Sequence, residues 1–169
     1  MDVEFSPTDA VNVMAFLGNG ILGHVVNDIG VMGAGIAKAI AEEWPIVEQE
    51  YLDLVAEIPN FETFGKVLFV SVTKNLVVAN MFAQNNIKGR TSKIPLQYDW
   101  LQTCLNSLFK YAIENEKDIH IPRIGAGLAG GNWDKIWYMV LETGFRLEYK
   151  GKLVLHQWEP TYDLSIIRE

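Results

Sequence analysis

Two glycine-rich stretches hold the residue types and spacings most suited to chemistry. The first runs His24-Val25-Val26-Asn27-Asp28-Ile29-Gly30-Val31-Met32-Gly33-Ala34-Gly35-Ile36-Ala37. An apolar, partly β-branched run delivers polar residues to spaced glycines, and the glycines open a helical pattern. A helix N-terminus carries N–H groups without intrahelical partners and a partial positive charge, so such a loop can hold an anion. A glycine turn needed only for close strand–helix packing would read the same way, and from this loop alone the two readings weigh evenly. The second stretch runs Ile121-Pro122-Arg123-Ile124-Gly125-Ala126-Gly127-Leu128-Ala129-Gly130-Gly131-Asn132-Trp133, with Asn132 placed to cap the following helix. Two such loops at two strand ends of one sheet describe a clamp on an extended ligand with two phosphates. The pair favours binding over packing.

The elements that must position these loops alternate in type. Strand patterns are Val3–Phe5, Ile21–Asn27, Val67–Val72, Leu76–Asn80, Asp118–Arg123 and Lys152–Trp158. Helical patterns are Ile36–Trp44, Val47–Glu57, Tyr98–Glu116 and Asn132–Phe145, with Pro45 ending or kinking the first of them. The Tyr98 helix places Leu101, Leu105, Leu108 and Ala112 on one face. This alternation predicts an α/β fold, a mostly parallel sheet with helices on both faces, in which a ligand sits beyond the carboxyl ends of the strands. Both glycine clusters fall there.

The 169 residues suit a single domain spanning 1–169. With 49% apolar residues the chain can build a core, which excludes a disordered protein. Fourteen basic and 21 acidic residues leave a net charge of −7, against tight nonspecific binding of duplex nucleic acid. One cysteine, Cys104, excludes an internal disulfide, and its place in an amphipathic helix reads as structural. With no long apolar run and no signal peptide at Met1–Glu4, a soluble, cytoplasmic protein without a membrane partner is expected. Gly18-Asn19-Gly20-Ile21-Leu22-Gly23 matches a dinucleotide-binding G-x-G-x-x-G, but a strand follows it where a helix is required, so it reads as a turn before a strand. The three histidines lack metal-ligand spacing, and neither a metal nor a cofactor is expected.

Three pieces together, HVVNDIGVMGAGIA, VANMFAQ followed by YDWL, and IPRIGAGLAGGNW, resemble the macrodomain family, and the resemblance extends from Val3 to about Trp158. It is nearest the branch of ADP-ribose 1″-phosphate phosphatases, terminal ADP-ribose glycohydrolases and stand-alone phage and bacterial macrodomains. The resemblance implies a three-layer α/β/α sandwich with a mixed, mostly parallel central sheet. It implies a ligand, ADP-ribose or a close derivative, free or attached to a macromolecule. It assigns Asp9 with Ala10 to the adenine, although Thr8 stands where the family has glycine, and a plain turn residue is the competing reading of Asp9. Asn27 is assigned to the distal ribose. Met32, Gly33, Ala34, Gly35 and Ile36 form the first phosphate loop, and Ile124, Gly125, Ala126, Gly127, Leu128 and Ala129 the second. Asn80 and Gln84 flank the site at a strand end and loop, and Trp158 at the end of the last strand reads either as a residue near the adenine or as a terminal surface residue.

His24 is the catalytic candidate beside Asn27. Phosphatase-type relatives carry a His here, and an imidazole can shuttle a proton during phosphoester hydrolysis. The competing reading is a buried structural His, since strand alternation separates His24 from the face of Asn27. Glycohydrolase-type relatives use a lysine and an aspartate, where this chain has Gln84 and Ala129; Lys74 and Lys88 do not match the lysine's position. Asp28 could serve as an acid or base, though capping is the commoner fate of such a carboxylate. His120 and His156 read as half-buried strand residues, and Trp44, Trp100, Trp133, Trp137 and most phenylalanines as core. Three activities follow from the resemblance: hydrolysis of ADP-ribose 1″-phosphate, non-catalytic capture of ADP-ribose, and removal of ADP-ribose from protein or nucleic acid.

Overall fold

A computed structural model describes residues 1–58, 60–87 and 94–157. The elements in order are β1 (Asp2–Ser6), α1 (Ala10–Leu17), β2 (Gly20–Asn27), α2 (Gly35–Glu43), α3 (Pro45–Glu57), α4 (Asn60–Thr63), β3 (Val67–Ser71), β4 (Leu76–Gln84), α5 (Tyr98–Glu114), β5 (Ile119–Ile121), α6 (Trp133–Arg146) and β6 (Lys152–His156). One six-stranded sheet has the order β1-β6-β5-β2-β4-β3. Every pairing is parallel except the hairpin of β3 and β4. Right-handed crossovers force helices onto both faces of such a sheet. One core layer joins Leu22, Val26, Val78 and Phe82 to Met14, Ile40, Val47 and Tyr51 from α1, α2 and α3. The other joins Ile21, Ala79, Met81 and Ile121 to Leu101, Leu105, Leu108 and Ile136 from α5 and α6. The predicted α/β/α sandwich with its mixed, mostly parallel sheet is the observed one.

Several boundaries differ from the sequence expectation. The helix α1 was not anticipated. Its eight residues span barely two turns, and its signals are its caps: the Asp9 carboxylate accepts from the Asn12 N–H, and Gly18 ends it in the left-handed region. The motif Gly18–Gly23 is thus a helix stop followed by a strand. Strand β4 continues past Asn80 to Gln84, because a central strand buried on both faces needs no alternation. Asn80 is therefore interior to the strand and not at its end. Pro45 starts α3 at its first position, where a missing N–H costs nothing, and does not kink a longer helix. Strand β5 is three residues long and stops before Pro122.

The tryptophans also depart from expectation. Trp44, Trp100, Trp133 and Trp137 pack at the margins of the two cores, and Phe5, Phe16 and Phe145 are exposed. Cys104 is buried as expected, and burial pushes its thiol up to about 12. Lys88, Trp158 and the tail after Trp158 lie outside the described residues. Among the described residues no helix is long and apolar enough to cross a membrane.

Candidate functional site

The site begins at the carboxyl end of β2, where Asn27 organises the first glycine loop. Its Oδ1 accepts from the backbone N–H groups of Ile29 and Val31 at 3.1 and 3.2 Å, and its Nδ2 donates to the Val31 carbonyl at 2.7 Å. Tyr51 of α3 reinforces this hub. Its hydroxyl accepts from the Gly30 N–H at 3.1 Å and lies 2.7 and 2.6 Å from the Asn27 carbonyl and Oδ1, donating its one proton to either. Burial raises the Tyr51 phenol above its ordinary value, so it stays protonated. Sequence reasoning missed Tyr51. Its one signal was an aromatic residue in a charged helical segment.

The register of β2 against β4 shifts between Val26 and Asn27, where β4 carries one extra residue, Ala83. The Asn27 side chain meets Tyr51 of α3. His24 and Asn27, which strand alternation would separate, both border the same cavity. His24 is fully buried below the end of the strand. Its cross-strand partner Asn80 donates through Nδ2 to the Leu68 carbonyl, which leaves Asn80 Oδ1 to accept from His24 Nε2 at 2.6 Å. His24 Nε2 therefore carries the proton in the neutral ring, and Nδ1 is a buried acceptor without a partner. Desolvation lowers His24 to about 4, outweighing the Asn80 bond, so the ring is neutral near pH 7.

Beyond the hub the chain enters α2 through Gly35 at φ +57°, a left-handed conformation natural to glycine. Ala34 occupies the N-cap with no side-chain hydrogen bond, so the first N–H groups of α2 have no capping partner. Opposite stands the second loop, closed by Gly131 N–H to the Gly125 carbonyl at 2.8 Å and Gly130 N–H to the Gly127 carbonyl at 3.0 Å. A Cβ at Gly131 would lie 2.3 Å from Leu96 and 2.7 Å from the Gly125 carbonyl oxygen, so only glycine fits this fold-back. Asn132 then caps α6, as expected, by accepting from the Lys135 N–H.

The two loops flank a cavity of about 520 Å³, the size of a small-molecule site. Of the residues expected in the site, His24, Asn27, Gly33, Ala34, Gly35, Ile36, Gln84, Ile124, Gly125, Gly127, Leu128 and Ala129 border it. A second cavity of about 270 Å³ adjoins it through Gly35, Ile36 and Pro122 and takes in Asp9 and Ala10. Met32, Asn80 and Ala126 border neither. Met32 is drawn into the core with Ile40, and Asn80 lies beneath His24. Asp28 faces neither cavity, and its Oδ1 accepts from the Asn86 N–H at 2.7 Å, tying the first loop to the segment after β4. Lys74 lies in the turn between β3 and β4, at the opposite end of the sheet.

Three cavity residues of interest were not foreseen. Arg123 is the charged side chain of the larger cavity, whose described lining holds no lysine and no carboxylate. Thr8 and His156 join Asp9 in the smaller one. His156 is buried and bonded on both sides, to Thr8 Oγ1 through Nδ1 and to His120 Nδ1 through Nε2, each at 2.9 Å. Desolvation first, then the neighbouring imidazole, lowers His120 to about 4. Sequence alternation put both rings on half-buried faces; the pairing of β5 with β6 buries them against each other. Among the described residues no group of three histidine, cysteine or acidic side chains converges as a metal site would require.

No family model matches the chain. Among solved structures, a Bacteroides thetaiotaomicron protein of unknown function is 32% identical, with a TM-score of 0.81 over 93% of this chain and 98% of that one. A macrodomain protein from Streptomyces coelicolor is 28% identical, with a TM-score of 0.73 over 91% of this chain and 98% of that one. The chain has the macrodomain fold. Thermosipho africanus DarTG, solved in complex with ADP-ribose, is 16% identical to this macrodomain, which covers 44% of that chain at a TM-score of 0.70. At that identity the likeness is one of fold.

Proposed function

We propose that this macrodomain binds ADP-ribose or a close derivative across its two adjoining cavities. One observation carries the reading: two backbone segments, the uncapped start of α2 and Gly127–Ala129 of the second loop, border one cavity with N–H groups that the loop's own bonds leave over, as a diphosphate would need. The smaller cavity takes the adenine against Asp9, whose second carboxylate oxygen is left over by the cap. The distal ribose lies toward Asn27, where one N–H of Nδ2 remains after the bond to Val31. The ADP-ribose bound to the Thermosipho fold relative supports this ligand class. The proposal extends to ADP-ribose held on a macromolecule and to action in the cytoplasm.

A second reading, hydrolysis of ADP-ribose 1″-phosphate, is favoured by the unpartnered Nδ1 of His24. With Nε2–H held by Asn80, the ring offers an acceptor and no proton. His24 would act as a base or hydrogen-bond acceptor toward water or a ribose hydroxyl. The attacking water forms the new P–O bond, the 1″-oxygen leaves with its electron pair and a proton, and phosphate is released.

Calorimetric titration with ADP-ribose and phosphate release from ADP-ribose 1″-phosphate test both readings. Saturable 1:1 binding is expected. Release that drops by roughly 10²-fold or more in His24→Ala supports the hydrolase, a loss typical of general acid–base catalysts. Binding without release leaves capture as the function, and no binding by the folded protein refutes the ligand assignment.

A further inference from the structure

Arg123 has a setting that holding a diphosphate on backbone N–H groups does not require. Its guanidinium carbon lies 5.6 Å from the ring centroid of Trp133, and its Nε donates to Gln157 Oε1 at 3.1 Å. Trp133 is braced in turn by Trp137 at 5.7 Å and 25°, and Trp137 by Phe5 at 5.9 Å. An aromatic ladder thus runs from the edge strand to the cavity rim and ends in a cation. The Trp133 ring and Gln157 Oε1 each engage the guanidinium, one by a cation–π contact and one by a hydrogen bond. The four N–H groups on the two Nη atoms remain, and among the described residues no carboxylate pairs with them. In a chain of net charge −7, an exposed arginine with no carboxylate partner at a cavity mouth is set to receive an anion.

Its position says which part of a ligand it meets. Pro122, the residue before it, borders both cavities. Gln157, its partner, follows His156 of the smaller cavity. Arg123 therefore stands at the seam between the two. With adenine in the smaller cavity and diphosphate in the larger, the seam is where the adenosine ribose lies.

We propose that Arg123, set over the Trp133 ring and hydrogen-bonded to Gln157, selects ADP-ribose derivatives that carry a further phosphate on the adenosine ribose. The inference rests on the ADP-ribose reading above and adds the ligand class. The chemistry is a planar fork meeting two phosphate oxygens, the geometry in which arginine outperforms lysine.

The test is calorimetric titration of the full chain with ADP-ribose and, separately, with ADP-ribose 2′-phosphate. Wild type is expected to bind the phosphorylated ligand about tenfold more tightly in low salt, a margin that narrows as salt screens the exposed pair. Arg123→Ala is expected to erase the preference. Arg123→Lys keeps the charge without the fork and retains only part of it, and Trp133→Leu, which keeps the arginine and removes its support, also reduces it. Equal wild-type affinities for the two ligands overturn the inference and leave ADP-ribose binding intact. A preference that survives in Arg123→Ala also overturns it, since the added phosphate then meets other donors. If neither ligand binds, the ADP-ribose reading fails and this inference fails with it.

Discussion

Replacing Tyr51 with Phe removes one oxygen from the hub beneath the first glycine loop and leaves the ring. The ring's packing against Phe82, 5.8 Å away, is retained. Two hydrogen bonds disappear: the one accepted from the Gly30 N–H and the one donated to Asn27. At roughly 1 kcal/mol net for each bond, the loss is about 2 kcal/mol. Gly30 is half-buried, so water can restore part of its bond. For a domain of this size the melting temperature should fall by about 4–8 °C. Binding should respond separately. If the whole loss loosens the free loop, ADP-ribose affinity falls about 30-fold, and if half of it does, about fivefold. Thermal melts with and without ligand and calorimetric titration read both quantities. A lower melting temperature with unchanged affinity would refute the reasoning, because the hub would then hold the core and not a ligand-binding loop.

Three further outcomes are expected. His24 and His120 are neutral in the fold down to about 4, against an ordinary value of 6.5. The unfolded chain takes up protons first, so stability should decline from pH 6.5 to pH 4 by roughly 3 kcal/mol per ring, and these groups contribute no slope above pH 6.5. Melts across that range check this, and a slope as steep in His120→Gln would contradict it. Asp9→Ser keeps a capping oxygen for α1 but removes the carboxylate, so the melting temperature should hold while ADP-ribose affinity drops about tenfold, the scale of one charge-assisted hydrogen bond; equal affinity removes Asp9 from the adenine site. Gly131→Ala forces a methyl into Leu96 and the Gly125 carbonyl and should cost about 1–3 kcal/mol, seen as a lower denaturation midpoint; a neutral result would mean the loop shifts freely.

Local pattern carried much of the fold. Long elements such as α5 declare themselves by apolar spacing, and the glycine clusters mark the strand ends where backbone is left unpaired. Short elements were less visible: α1 has too few turns for a period to show, and its cap Asp9 reads equally well as a turn residue. Strand β4 looked as if it ended at Asn80 because a polar residue suggests a boundary. In the fold that amide is paired across the strand with a histidine 56 residues earlier.

The sequence by itself carried the resemblance to macrodomains, and it determined the α/β order of elements and the two glycine loops, because these depend on residue type and near spacing. Only the tertiary structure decided how the side chains around those loops are used. The packing of α3 on the sheet brings Tyr51 to Asn27, the pairing of β2 with β4 sets the tautomer of His24, and the approach of β6 to β5 buries His120 against His156. The same approach brings Gln157 to Arg123, while α6 brings Trp133 beneath it. Each is a contact between residues far apart in the chain, set by strand register and by burial that no local window contains.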